Sequence, residues 1–266
     1  MNTQAWITHF ERNTRVNDHL ELPLEQPCQL PEAIRSPLAT SLATFQLGES
    51  GTGSRLRRYA RQVAPMENFR GYQRAIDLFV AEEQSHARLL ARGVQHLGGK
   101  LLTQQWTNSV FRRLRFLVNL EFAVQVLLTA ELIAEVYFGT LYLRCEDPVV
   151  KKIAHKLLRD EMRHLEFQRD FLSERVVTLS PVGRWLWRAQ FQAIHAITAA
   201  VVAWDHRRLL RALGLAPDDF RRRCLQGWRR FQQRLEHRLG APSDEAATPA
   251  AQGSAPAPSG GLFPGR

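Results

Sequence analysis

The chain has 266 residues, 44% apolar and 9% aromatic, enough to bury a sizeable core in one large domain or two small ones and too many for a disordered chain. Its three cysteines, Cys28, Cys145 and Cys224, are far apart and form no Cys-x-x-Cys pair, which argues against a disulfide framework, a zinc knuckle or a rubredoxin-type iron site and fits a reducing cytoplasm. The formal charge of +10 is nearly all arginine and reads as solvated helix surface, so nucleic acid is not an expected partner.

The N-terminal "MNTQAWITHFERNTRVNDHLEL" has no basic flank followed by an apolar run, so no signal peptide is expected. No membrane span is expected either, because the closest apolar stretch, Phe191 to Trp204, is short and contains Gln192 and His195.

Residues 1–36 carry Pro23, Pro27 and Pro31 among polar residues and predict an N-terminal arm with at most one short helix, Trp6 to Asn13. Ser36-Pro37 is a helix-start signal and predicts a first long helix to about Val63, ended by Pro65. A second long helix is predicted from Glu67 to Leu97, stopped by Gly98-Gly99. A third runs from Ser109 to Arg144; its middle, "FAVQVLLTAELIAEVYF", is apolar nearly all round and so belongs inside the fold. Asp147-Pro148 repeats the cap-plus-proline signal and opens a fourth, to about Leu172.

Short connections within the first pair and within the second make the partners antiparallel neighbours. Residues 37–175 thus predict a four-helix unit, and 176–239 add two further helices packed on it, Pro181–Leu213 and Asp218–Leu239. Residues 240–266, rich in Ala, Pro, Gly and Ser, predict a disordered tail. No strand-period alternation is present, so the fold class is all-α.

Two Glu-x-x-His units stand out, Glu83 with His86 and Glu161 with His164. The motif is short enough to arise by chance; its placement is more telling. On the second helix the apolar stripe of Ile76, Phe79, Leu90, Val94 and Leu97 passes through Glu83 and then His86 or Ala87. On the fourth, Glu161 and His164 interrupt the stripe of Ile153, Leu157, Leu158, Leu165 and Leu172. The first helix steps through Leu38, Leu42 and Phe45 to Glu49 and on to Leu56, and the third through Leu120, Val124 and Leu127 to Glu131 and on to Phe138.

Four helices therefore each bury an acid, without lysines on those faces to neutralise them. A lone buried carboxylate costs several kcal/mol unless it is paired, protonated or bound to a cation. Glu and His three residues apart lie about 4.5 Å apart along a helix axis, so each unit can direct an oxygen and an imidazole nitrogen to one place. Four carboxylates with two imidazoles suit two divalent first-row metals rather than calcium or magnesium.

Glu49, "EEQSH" at 82–86, Glu131 and "DEMRH" at 160–164 together resemble the ligand set of the ferritin-like di-iron or di-manganese carboxylate bundles, over roughly Pro37 to Leu172. The spacings, 34 residues from Glu49 to Glu83 and 30 from Glu131 to Glu161, look like those of that superfamily's two half-bundles. The chain is also similar to bacterial ferritin-like proteins of unassigned substrate. The resemblance implies a ferritin-like four-helix bundle with additional C-terminal helices and two iron ions, or manganese. The implied ligands are Glu49, Glu83, His86, Glu131, Glu161 and His164, with no catalytic residue beyond them. It further implies that Asp160 supports His86 and that Glu82 supports His164, since metal-bound histidines usually donate their second ring hydrogen to a carboxylate.

Several positions stay open. Glu135, four residues after Glu131 on the same face, is the alternative ligand; Glu131 is preferred for its place in the stripe. Glu121 reads as a solvated or supporting acid. Gly48, Gly51 and Gly53 mean either a loop that breaks the helix and exposes Glu49, or a kinked segment beside the metals. His195 reads as a packed core histidine, His155 lies off the motif face, and His96, His206 and His237 sit in ordinary helix-end or basic settings. Leu90, four residues after His86, argues against a ribonucleotide-reductase-type radical tyrosine.

The resulting expectation is a cytoplasmic di-iron oxidoreductase that activates dioxygen and attacks an unidentified small organic substrate. No flavin or nicotinamide fingerprint is present, so an oxygenase would need an external electron donor. Two alternatives are ferroxidase or peroxide-removing activity, and a non-enzymatic helical module using the Arg-rich C-terminal region. Trp185, Trp187, Phe191 and Trp204 suit a substrate pocket wall, packing or a homodimer contact.

Overall fold

The computed structural model describes residues 1–104 and 120–240, and every regular element among them is helical. Helix α1 spans Thr3–Asp18, α2 Glu32–Glu49, α3 Ser54–Val63, α4 Tyr72–His96, α5 Leu120–Arg144, α6 Pro148–Val176, α7 Pro181–Asp205, α8 Arg207–Ala212 and α9 Pro217–Gly240. The predicted helix start at Ser109, the side chain of Glu121 and the tail from 241 lie outside the described residues.

Four of these helices position the acids. In α4 and α6, His86 meets Asp160 while Glu82 meets His164, which sets the two antiparallel and in register. Helix α2 also runs antiparallel to α4: Ala39 lies against Gly99, Leu42 against Gly93, and Glu49 beside Glu83. Helix α5 opposes α2, since Ser41 meets Tyr137 while Glu49 shares a cavity with Glu131. A three-residue connection then turns α5 into α6, and the two pack along each other. Asp147 caps α6 as its sequence signal predicts, accepting from the Val150 amide at 2.9 Å.

Other expectations need correction. Residues 3–18 form a continuous helix rather than an arm with a short one, because Trp6, Phe10, Asn13 and Asn17 share one face of it. Phe10 is fully buried, edge-on to Phe79 and Phe167, and of the polar residues on that face Asn13 pairs with the buried Glu82 and Asn17 with Ser85. The first long helix starts earlier, at Glu32, so that Pro37 lies inside it at the loss of one backbone hydrogen bond.

That helix also stops at Glu49, and α3 is a separate element that lengthens the expected short connection to α4. The break is set by Gly53, whose φ of +61° belongs to the left-handed region, and a Cβ there would fall 2.4 Å from a Val80 methyl. A 3-10 turn at Glu67–Phe69 and Gly71 at φ +82° likewise delay the start of α4 to Tyr72. His206 divides the expected Pro181–Leu213 helix into α7 and α8.

Among the described residues one helix, Val124–Arg144 within α5, is long and apolar enough to cross a membrane, rather than Phe191–Trp204 as the closest stretch. Most of that segment is buried, since α2, α6, α7 and α9 surround it. Apolar flanks on all sides are what an interior helix of this packing requires.

Candidate metal centre

The chain brings the motif residues of α2, α4, α5 and α6 to one region. Glu49, Glu83 and His86 place ligand atoms within 4.8 Å of one another, and so do Glu83, Glu161 and His164. Glu83 belongs to both groups: its Oε1 lies 3.8 Å from His86 Nδ1 and 3.0 Å from His164 Nδ1. Glu161 Oε2 lies 3.6 Å from His164 Nδ1. Glu131 sits opposite, with both carboxylate oxygens buried and unpaired, and Gln168 beside it. Glu49 remains in the centre although α2 ends there; the break in the helix leaves it half-buried, beside Glu83 and on the wall of the same cavity.

Both histidines use one nitrogen for support and keep the other for the centre. His86 Nε2 is 2.8 Å from Asp160 Oδ2, and His164 Nε2 is 3.1 Å from Glu82 Oε1. The two Nδ1 atoms are buried, without a hydrogen-bond partner, and face the glutamates. In both cases the hydrogen-bonded acid comes from the opposite motif.

A further layer was not legible from the motifs. Asn13 of α1 donates to Glu82 at 2.7 Å and to Asp160 at 2.9 Å, and Asn17 donates to Ser85. Lys156 Nζ lies 2.5 Å from both Asp160 oxygens and 2.9 Å from Asn13 Oδ1. The signal for Lys156 was its place one turn before Asp160, and for Gln168 one turn after His164. Nothing in the local sequence of α1 announced Asn13 or Asn17 as partners.

The electrostatics are those of a centre whose charge is balanced by protons. Burial, reinforced by the Glu83 charge, raises the Glu49 pKa well above its ordinary value, and burial does the same for Glu131. Burial also raises Glu161 despite the opposing His164. For Glu83 burial is outweighed by the hydrogen bond with Glu49 and the charges of His164 and His86, which hold it at about 2. The histidines rise in spite of burial, His86 through Asp160 and His164 through Glu83, Glu161 and Glu82. Four acids and two imidazolium-prone rings, with two unpaired nitrogens aimed inward, fit two divalent ions that displace these protons.

Glu135 is drawn elsewhere. It is partly exposed, and its surroundings include Arg230 and Arg234 of α9. It does not line the cavity that Glu131 shares with Glu49, Glu83 and Glu161. That cavity has a volume of about 180 Å³ and an apolar wall including Val126, Leu127 and Ile133.

At its other end the cavity reaches Asp205 and His206, so the reading of His206 as an ordinary helix-end residue is corrected. His206 Nδ1 lies 2.6 Å from Ser41 Oγ, and the same hydroxyl lies 2.6 Å from Tyr137 Oη. His195 is held by the Cys224 carbonyl at 2.9 Å, and His155 stacks on Tyr142. No family model, curated protein or solved structure matches this chain.

Proposed function

We propose that this chain is a ferritin-like di-iron carboxylate protein, an oxidoreductase that activates dioxygen toward a small organic substrate in the cytoplasm. The observation that supports the reading is the pair of buried Nδ1 atoms on His86 and His164 that face the shared Glu83 carboxylate, each ring having its Nε2 tied to an acid of the opposite motif. Glu49, Glu83, His86, Glu131, Glu161 and His164 would hold the ions, manganese being the alternative metal. Bound there, a pair of first-row ions would supply a shared one-electron redox change toward dioxygen or peroxide.

The chain's own contribution is position, charge and dryness. Glu49 and Glu131 give up their protons on loading, which couples metal affinity to pH. Phe79, 4.7 Å from the His164 ring, and Phe10 behind it shut out water on the α1 side. On the opposite side the cavity of about 180 Å³ offers an apolar wall with room for a molecule of about benzene size, which favours an oxygenase or oxidase on a very small substrate over an iron- or peroxide-handling protein. An external electron donor remains part of the oxygenase reading.

A non-enzymatic role for the Arg-rich end is less favoured. Arg238 pairs with Asp170 at 2.9 Å, Arg188 with Glu236 and Arg222 with Asp219, so part of the basic charge is already matched.

Metal analysis with an optical spectrum on wild type, Glu83→Ala and Glu161→Ala tests the centre. About two metals per chain, lost in both variants, is the expected result; unchanged metal content overturns it. Oxygen consumption that depends on an organic substrate separates oxygenase chemistry from simple iron oxidation.

A further inference from the structure

A second group of ligating side chains lies about 20 Å along α4 from Glu83, far beyond the reach of the carboxylate centre. Cys28 comes from the connection between α1 and α2, His96 is the last residue of α4, and Asp147 stands immediately before α6. Their ligand atoms lie within 4.8 Å of one another. His96 Nε2 is 2.9 Å from Asp147 Oδ2, and the Cys28 sulfur lies within 4.8 Å of a ligand atom of each.

Asp147 is also oriented from behind, because its Oδ1 accepts from the Val150 amide while Oδ2 turns toward His96. His96 and Asp147 are buried, 5% and 2% exposed at their side chains, whereas Cys28 is only half-buried and can be reached from solvent.

We propose that Cys28, His96 and Asp147 form a separate site for a zinc-class divalent ion, its fourth position taken by water on the open side of Cys28. The donor set is one thiolate, one imidazole and one carboxylate, whose two negative charges match a divalent cation and whose sulfur selects zinc over calcium or magnesium. Tetrahedral zinc holds such donors about 3.3–3.8 Å apart, so the His96–Asp147 pair opens by only a few tenths of an ångström. Binding replaces the His96–Asp147 hydrogen bond; the Cys28 thiol proton leaves to solvent, and His96 ligates through Nε2 as its Nδ1–H tautomer, the Nε2 proton passing to Nδ1 by way of solvent. The site would clamp the α1–α2 connection to the ends of α4 and α6, and it is independent of the carboxylate centre.

The test is cobalt(II) titration of the chelator-stripped full chain, followed by zinc(II) displacement. A thiolate-to-cobalt charge-transfer band should saturate at about one equivalent, in wild type and in Glu83→Ala alike, because the carboxylate centre contains no sulfur. Cys28→Ser should abolish the band, Cys145→Ala should leave it, and His96→Gln should weaken zinc binding by more than about tenfold, with helicity unchanged by circular dichroism. Absence of the band in wild type, its survival in Cys28→Ser, its loss in Cys145→Ala, or zinc affinity unaffected by His96→Gln overturns the site.

Discussion

Asp160 accepts from His86 across the α4–α6 interface at 2.8 Å, and that carboxylate is itself gripped by Lys156, Asn13 and Asn17. Desolvation works against its charge, but the His86 hydrogen bond and the charges of His86 and Lys156 keep Asp160 ionised far below the usual carboxylate range. A fixed anion at Nε2 leaves Nδ1 as the imidazole's only outlet. Asp160→Asn should therefore weaken metal binding by about 10–100-fold while the chain stays folded, measured by competition with a chromophoric chelator. Affinity equal to wild type would mean that the orientation of His86 does not depend on Asp160.

The choice between the two acids of α5 is testable in the same assay. Glu131 lines the cavity with the other three glutamates, whereas Glu135 lies near Arg230 and Arg234. Glu131→Gln should lower metal stoichiometry or affinity, and Glu135→Gln should leave both within about twofold of wild type, a surface-type effect. The reverse pattern would transfer the ligand role to Glu135.

The metal-stripped protein should lose stability as pH rises from about 6.5 to 8. Glu49, Glu131 and Glu161 have folded pKa values raised above the ordinary 4.5, and His86 and His164 above 6.5. Over that window these groups hold more protons in the native state than in the unfolded chain, so unfolding becomes easier as pH rises; His9, His195 and His206, which burial lowers to about 4, act in the opposite sense mainly below pH 6.5, where the unfolded imidazoles are charged. Glu83 and Asp160, with depressed values, act oppositely, contributing stability above about pH 4 that is lost as pH falls further. Saturating metal should reverse the slope between pH 6.5 and 8, because the ions bind the deprotonated ligands. Denaturant midpoints with and without iron(II) or manganese(II) under anaerobic conditions would check both slopes; a flat metal-free profile would contradict the protonated state described above.

Gly53 places the end of α2. Gly53→Ala should destabilise the chain by more than about 1 kcal/mol, through the positive φ and the contact with Val80. In the double variant with Val80→Ala the interaction should be partly relieved, so the two losses should sum to more than the double variant shows. Strict additivity in denaturant unfolding would show that backbone conformation alone, not the Val80 contact, requires glycine.

Sequence alone determined the helical class, the Asp147-Pro148 start of α6 and the four acids that interrupt apolar stripes, because a periodicity of 3.6 and a cap are local properties of the chain. It also exposed the two Glu-x-x-His units, since residues three apart share a face whatever the helix packs against. Tertiary structure decided what periodicity cannot encode. Asn13 and Asn17 looked like polar residues of an arm until α1 lay against α4 and α6 and their amides met Glu82, Asp160 and Ser85. Glu131 and Glu135 stand on one face of α5, and only the arrival of α9 arginines near one of them tells them apart. Cys28, His96 and Asp147 are remote in sequence and carry no shared motif; three chain ends had to meet before their ligand atoms fell within 4.8 Å.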